Sequence, residues 1–239
     1  MTHHLNLPVA ILAGGFATRL MPLTRDLPKS LVAVGGEPFI VHQLRLLARQ
    51  GVRRVVLLLG HRGEDVAAVV GDGSRFGLTI AAVHDGPRPL GTGGAIVQAL
   101  DQLGPEFGVI YGDSYLRFDM GATVERFFAQ SRPALMTVFG NAGRWGTSNV
   151  LFEDDRVSLY DKAAPVPVMQ HIDYGFGLFR RSVFAGLSSG VPLDLADVYH
   201  RLSLEDRLAG LEIGTRFHEI GSFSGLSALE QALSGPDEA

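Results

Sequence analysis

The first half of the chain alternates short, continuously apolar runs with stripes of helical spacing, and this alternation constrains the fold more than any other feature. Residues 9–13 (Val-Ala-Ile-Leu-Ala) run into Gly14-Gly15, 55–59 is a second such run, 78–83 a third, and 107–111 a fourth that ends at Gly112-Asp113. A short apolar run closed by a turn signal predicts a strand buried on both faces. Between these runs, apolar residues at 40, 41, 44, 47 and 48 predict a helix stopped by Gly51. A short helix over 65–70 closes on Gly71, and Ile96, Ala99, Leu100 and Leu103 mark a third helix. Strand–helix alternation of this kind implies βαβ units and a mainly parallel sheet, hence an α/β fold. Such sheets bind ligands beyond the carboxyl ends of their strands, where Gly14 and Asp113 fall.

The second half reads as richer in strands, over 134–140, 148–153, 156–160, 172–179 and 210–220, with helices near 195–208 and 224–234. No linker, repeat or charge block divides the chain, so residues 1–235 are expected to form one domain and 236–239 a tail. With 46% hydrophobic and 19% charged residues, the chain has the composition of a globular protein with a sizeable core. Its net charge of −4 argues against a dedicated nucleic-acid binder. The absence of cysteine excludes disulfides, thiolate zinc sites and a cysteine nucleophile. No apolar run reaches the roughly 18 residues of a spanning helix, and Met1 to Pro8 lacks a basic leader region. The expectation is a cytoplasmic protein without a membrane partner; homo-oligomer formation is left open.

The chemistry-bearing residues begin at Leu12-Ala13-Gly14-Gly15-Phe16-Ala17-Thr18-Arg19-Leu20. Paired glycines admit close approach of a ligand to the backbone, and loop amides can point at phosphate oxygens. Thr18 offers a hydroxyl and Arg19 a planar two-pronged cation. Lys29, in Pro28-Lys29-Ser30, adds a second cation. Neither the dinucleotide fingerprint G-x-G-x-x-G nor a Walker loop is present. Each half alone reads equally as a glycine turn with surface cations.

Together, G-G-x-x-T-R-L, P-L-T and P-K-S-L, spanning Ala10 to Val34, resemble the signature of the sugar-1-phosphate nucleotidyltransferases, such as mannose-1-phosphate guanylyltransferase and glucose-1-phosphate thymidylyltransferase. The resemblance continues. Pro89-Leu90-Gly91-Thr92-Gly93-Gly94-Ala95 is similar to the family's loop beneath the nucleotide base, where glycines admit a flat ring and a helix start offers free amides. Tyr111-Gly112-Asp113 resembles the strand-end G-D whose aspartate holds magnesium. Asp161-Lys162 resembles an acid–lysine pair that reads sugar hydroxyls and sugar phosphate. Asn149, Asp173 and Gly175 fall where the family places sugar contacts. Phe217-His218-Glu219-Ile220-Gly221-Ser222 resembles F-x-D-I-G-T, with Glu219 in place of the second metal-binding aspartate. A glutamate can ligate magnesium, but its extra methylene changes its reach; pairing with Arg216 is the structural alternative.

The resemblance implies a Rossmann-like, mostly parallel central sheet flanked by helices, with a strand-rich sugar-binding half. It implies Arg19, Lys29 and Asp113 as catalytic residues, and Leu12, Ala13, Gly14, Gly15, Thr18, Pro89, Gly91, Thr92 and Gly93 around the nucleotide. It places Asn149, Asp161, Lys162, Asp173 and Gly175 around the sugar phosphate, and Asp113 with Glu219 on Mg2+ or Mn2+. The implied substrates are a nucleoside triphosphate and a sugar 1-phosphate. The P-L-G-T-G-G-A-I loop looks most like guanylyltransferases of heptose or mannose phosphate. Residues 71–77 look more like uridylyltransferases of amino-sugar phosphates, and cytidylyl or thymidylyl transfer stays open. A non-catalytic nucleotide-sugar sensor is the alternative from a different class. Trp145 is read either as a platform for a sugar or as an ordinary loop residue. His61 and His200 are read as structural or surface residues, and His171 as a candidate wall of the sugar pocket.

Overall fold

The computed structural model describes residues 5, 7–15, 20, 27–141 and 143–235. Thr18, Arg19 and the 236–239 tail lie outside the described residues. The apolar runs of the first half form β1 (Val9–Leu12), β4 (Arg54–Leu59), β5 (Thr79–His84) and β6 (Glu106–Tyr111). Two short strands, β2 (Ala33–Val34) and β3 (Glu37–Pro38), make a hairpin before α1 (Phe39–Arg49). Helices α2 (Gly63–Val70) and α3 (Gly91–Leu103) complete the crossovers, followed by β7 (Ser114–Tyr115) and α4 (Met120–Phe128). The second half supplies β8 (Ala134–Gly140), β9 (Val150–Glu153), β10 (Arg156–Tyr160), β11 (His171–Arg180), α5 (Leu195–Leu204), β12 (Leu208–Glu212), β13 (His218–Glu219) and α6 (Phe223–Leu233).

One sheet of nine strands runs through the described residues in the order β5-β4-β1-β6-β11-β8-β12-β10-β9. The first four strands are mutually parallel. Strand β11 enters antiparallel between β6 and β8, and β12 is again parallel to β8. Helices cover both faces, as parallel strands apolar on both sides require. Ile40, Leu44 and Leu47 of α1 and Val66 and Val70 of α2 pack on one face, and Ile96, Ala99 and Leu103 of α3 and Val198 and Leu202 of α5 on the other. The chain moves from β1 outward to β4 and β5, then returns to lay β6 on the other side of β1. The switch point therefore lies between β1 and β6, and a crevice opens beyond their carboxyl ends.

Several elements differ from the sequence reading, the short strands β2, β3 and β7 among them. The expected strand over 210–220 is two strands in two sheets: β12 ends at Glu212, and β13 pairs with β7 in a separate two-stranded sheet. The helix expected over 195–208 stops at Leu204, because Asp206 turns the chain with φ 53 and Leu208 already belongs to β12. Helix α4 was not anticipated. Asp119 caps it by accepting from the Ala122 amide at 2.8 Å, and Met120, Val124 and Phe127 carry its buried stripe.

Candidate active site

The crevice at the switch point is a cleft of about 370 Å³ lined by Leu12, Ala13, Gly14, Gly15, Lys29, Ser30, Leu58, Asp85, Pro89, Gly91, Thr92, Ala95, Tyr111, Gly112 and Asp113. Four separate sequence motifs thus meet in one concavity. Gly14 crosses against Gly60, where a Cβ would lie 3.0 Å from the Gly60 nitrogen, whereas Gly15 faces open space. Gly112 is equally confined: its amide donates to the Leu12 carbonyl at 3.0 Å, and a Cβ would lie 2.6 Å from that oxygen. These contacts knit the ends of β1, β4 and β6 and leave the following residues at the mouth.

Lys29 begins a single 3-10 turn, Lys29–Leu31, whose buried Ser30 and Leu31 anchor it. Its Nζ donates to Asp113 Oδ2 at 2.5 Å, with the two side chains 16% and 29% exposed. The cation and the carboxylate neutralise each other in this structure. The turn carrying Asp113 is clamped by Gln43, a fully buried residue of α1 whose Nε2 donates to the carbonyls of Tyr111 at 2.9 Å and Ser114 at 2.8 Å. Gln43 was missed from sequence; the signal was a polar residue on the buried face of α1. Ser30 Oγ is buried at the cleft without a hydrogen-bond partner among the described residues. Asp85 also went unpredicted, although it follows β5 as Asp113 follows β6. Burial pushes its carboxyl above the usual range, against the Leu90 amide it accepts at 3.2 Å.

The glycine loop differs from its sequence reading. Gly93 and Gly94 donate their amides to the Leu193 carbonyl at 2.9 and 3.0 Å, so these amides are not free for a ligand. A Cβ on Gly91 would lie 2.6 Å from the Leu193 oxygen and one on Gly94 2.7 Å from the Val191 oxygen. These glycines admit the 191–194 backbone, and among the described residues Gly91 lines the cleft while Gly93 does not. Thr92 is likewise engaged: its hydroxyl donates to Asp194 Oδ1 and accepts from the Leu195 amide, both at 2.8 Å, which ties the start of α3 to the start of α5.

A second cluster gathers the remaining candidates. Asn149 Oδ1 accepts from the Asp173 amide at 3.4 Å, and the Asn149 carbonyl accepts from the Asp161 amide at 3.0 Å. Asp173 Oδ1 accepts from the Gly175 amide at 2.9 Å, and Oδ2 from the Tyr111 hydroxyl at 3.3 Å. Enclosure pushes the Asp173 carboxyl up to about 6, opposed by these bonds and by the charge of Lys162. Asp161 spends Oδ1 on the amides of Ala163 and Ala164, at 2.9 and 2.7 Å, leaving Oδ2 toward His200 at 4.0 Å. His200 itself faces the Tyr160 carbonyl at 2.6 Å, and His171 lies 3.4 Å from Glu212. Trp145 is covered by the Arg216 guanidinium, 3.8 Å from the ring centroid.

Among the described residues no ion pair joins Glu219 to Arg216, whose guanidinium lies on the Trp145 ring. The register partner of Glu219 is Ser114, and the next amide, Ile220, donates to the Asp113 carbonyl at 3.0 Å. The backbones of the two carboxylate residues are adjacent, yet Glu219 is exposed and does not line the cleft. Among the described residues no group of three or more His, Cys, Asp or Glu side chains could hold a metal ion. Asp113 lines the cleft, with Glu219 on the neighbouring backbone outside its lining; this set is compatible with magnesium, which takes one or two protein carboxylates and completes its shell with substrate oxygens and water. No helix among the described residues is long and apolar enough to cross a membrane.

The nucleotidyl transferase family matches residues 9–146. N-acetylmuramate alpha-1-phosphate uridylyltransferase of Neisseria meningitidis serogroup B is 30% identical over 94% of this chain and 97% of its own length. Mannose-1-phosphate guanylyltransferase of Mycobacterium tuberculosis is 31% identical over 79% of this chain, and glucose-1-phosphate thymidylyltransferase of Streptomyces antibioticus 36% identical over 62%. The chain spans about half the length of these two relatives, 52% and 42% respectively. Among solved structures, the inositol-1-phosphate CTP transferase from T. maritima superposes with a TM-score of 0.79 at 20% identity, over 95% of this chain and 94% of that one. HddC from Yersinia pseudotuberculosis, complexed with GMP-PN, superposes with a TM-score of 0.77 at 22% identity, over 95% of this chain and 100% of that one. At these identities the structural likeness speaks for the fold, while the family match extends over more than half of the sequence. The chain belongs to the sugar-1-phosphate nucleotidyltransferase family.

Proposed function

We propose that the protein transfers a nucleoside monophosphate from a nucleoside triphosphate to a sugar 1-phosphate, with GTP as the donor and a heptose or hexose phosphate as the acceptor. The observation that carries this reading is the Lys29–Asp113 pair at the switch-point cleft, which Tyr111 joins to the Asp173 cluster. In the reaction, an oxygen of the sugar phosphate bonds to the α-phosphorus as the bond from that phosphorus to the bridging oxygen breaks, and pyrophosphate leaves with the electron pair. The nucleophile is already an anion, so no general base is required. The barrier lies in bringing two polyanions together, and fixed cations lower it. Lys29 would turn from Asp113 to the triphosphate, assisted by Arg19, and Lys162 would receive the sugar phosphate. Asp113, with Glu219, would hold Mg2+ or Mn2+, which supplies neutralisation of the phosphate oxygens.

The choice of GTP rests on the Pro89–Ala95 loop and on the guanylyltransferase relative. A second reading, uridylyl transfer to an amino-sugar phosphate, is favoured by the Neisseria relative, which matches along nearly its whole length. Pyrophosphate release from each of the four nucleoside triphosphates, paired with several sugar 1-phosphates, tests both. Product with GTP and a heptose or hexose phosphate supports the first reading. A clear preference for UTP overturns it in favour of the second. Release from no pairing overturns the transferase itself.

A further inference from the structure

We infer that Tyr111 is a positioning residue for the acceptor: its hydroxyl holds the Asp173 carboxylate in the orientation in which that carboxylate receives a sugar hydroxyl. The inference rests on the transferase reading and extends it to a residue whose role the sequence motif does not specify.

Tyr111 ends β6, beside Leu12 of β1 and next to β11, so it stands between the cleft and the Asp173 cluster. Tyr111 lines the cleft, and its hydroxyl donates to Asp173 Oδ2 at 3.3 Å. A phenylalanine would supply the same wall and the same apolar packing. The hydroxyl is therefore explained by what it bonds. Tyr160 and Tyr199 also lie near enough to feel the charge of Asp173, but neither donates a hydrogen bond to it. Asp173 is otherwise fixed by backbone and by Asn149: Oδ1 to the Gly175 amide, its own amide to Asn149. Oδ2 is thus the oxygen that Tyr111 orients. A carboxylate so placed, beside Lys162, accepts from a hydroxyl with one fixed lone-pair direction. Removing the phenol hydroxyl frees that oxygen to rotate and leaves an enclosed charge short of a partner.

The test is steady-state kinetics of Tyr111→Phe with both substrates varied, alongside Asp173→Ala and the double variant. A hydrogen bond to a charged group should be felt as about a ten-fold rise in KM for the sugar 1-phosphate. KM for the triphosphate and kcat at saturation should stay within about two-fold of the parent. A merely structural role would instead raise both KM values or lower kcat, and either result overturns the inference, as does an unchanged KM for the sugar phosphate. Should Tyr111→Phe fail to fold, the double variant, in which residue 173 keeps no polar side chain, is compared with Asp173→Ala alone. Equal KM values for the sugar phosphate support the inference, because the hydroxyl then has no carboxylate to orient; a further ten-fold rise overturns it. Parent enzyme that is active while Tyr111→Phe is unchanged refutes the positioning role alone. Parent enzyme inactive on every pairing refutes the transferase reading and this inference with it.

Discussion

Replacing Asp173 by asparagine should make the protein more stable at neutral pH and less able to use its acceptor. The carboxyl sits at about 6 against an ordinary 3.8, raised chiefly by enclosure. About two units at roughly 1.4 kcal/mol each correspond to about 3 kcal/mol of native-state destabilisation by the ionised form. The side chain keeps some solvent contact at its pocket, and screening reduces the expected gain to about 1–2 kcal/mol. The neighbouring bonds survive the exchange. The asparagine carbonyl accepts from the Gly175 amide, and its NH2 donates to the Tyr111 hydroxyl, which can also accept. The folded value is raised, so the stability linked to this group is fully present below about pH 4 and is lost as pH rises through about 6. Urea unfolding of parent and variant between about pH 4.5 and pH 8 should show the variant's advantage growing up to about pH 6 and level thereafter. An advantage independent of pH, or a variant less stable than the parent at neutral pH, would refute the assignment of an enclosed, reluctantly ionised carboxylate.

Lys29→Ala should lower turnover by at least about a hundred-fold, as removal of a group that stabilises transition-state charge does. Its half-buried ion pair should contribute only about 1 kcal/mol to unfolding free energy; activity and thermal melts measured on one preparation separate the two. Gly91→Ala should destabilise by about 2 kcal/mol or more, since the residue has φ 71 and its Cβ would lie 2.6 Å from the Leu193 oxygen; a denaturant melt unchanged from the parent would contradict the packing described. Glu219→Gln should raise the magnesium concentration needed for half-maximal turnover, and an unchanged titration curve would leave Asp113 as the protein carboxylate on the metal.

The sequence by itself determined what depends on neighbours along the chain. Apolar runs such as 55–59, bounded by turn signals, read as buried strands, Gly71 after α2 adopts φ 61 where the helix stops, and the spacing from Gly14 to Ser30 carries the family signature because a loop motif is a local object. Helix α4 had its local signals as well, in Asp119 and the stripe of Met120, Val124 and Phe127 behind it, and the sequence reading passed over them. What only the tertiary structure decided is which distant groups share a lone pair. The glycines of the 91–94 loop carry no mark saying that Leu193 would take their amides, and Thr92 none that Asp194 would take its hydroxyl. Gln43 lies beside the apolar stripe of α1, and nothing along the chain says that the Asp113 turn would lie against it. Tyr111 and Asp173 are 62 residues apart, and their pairing follows from β11 entering antiparallel beside β6. Strand order is set by the balance of burial over the whole sheet, which no local window contains.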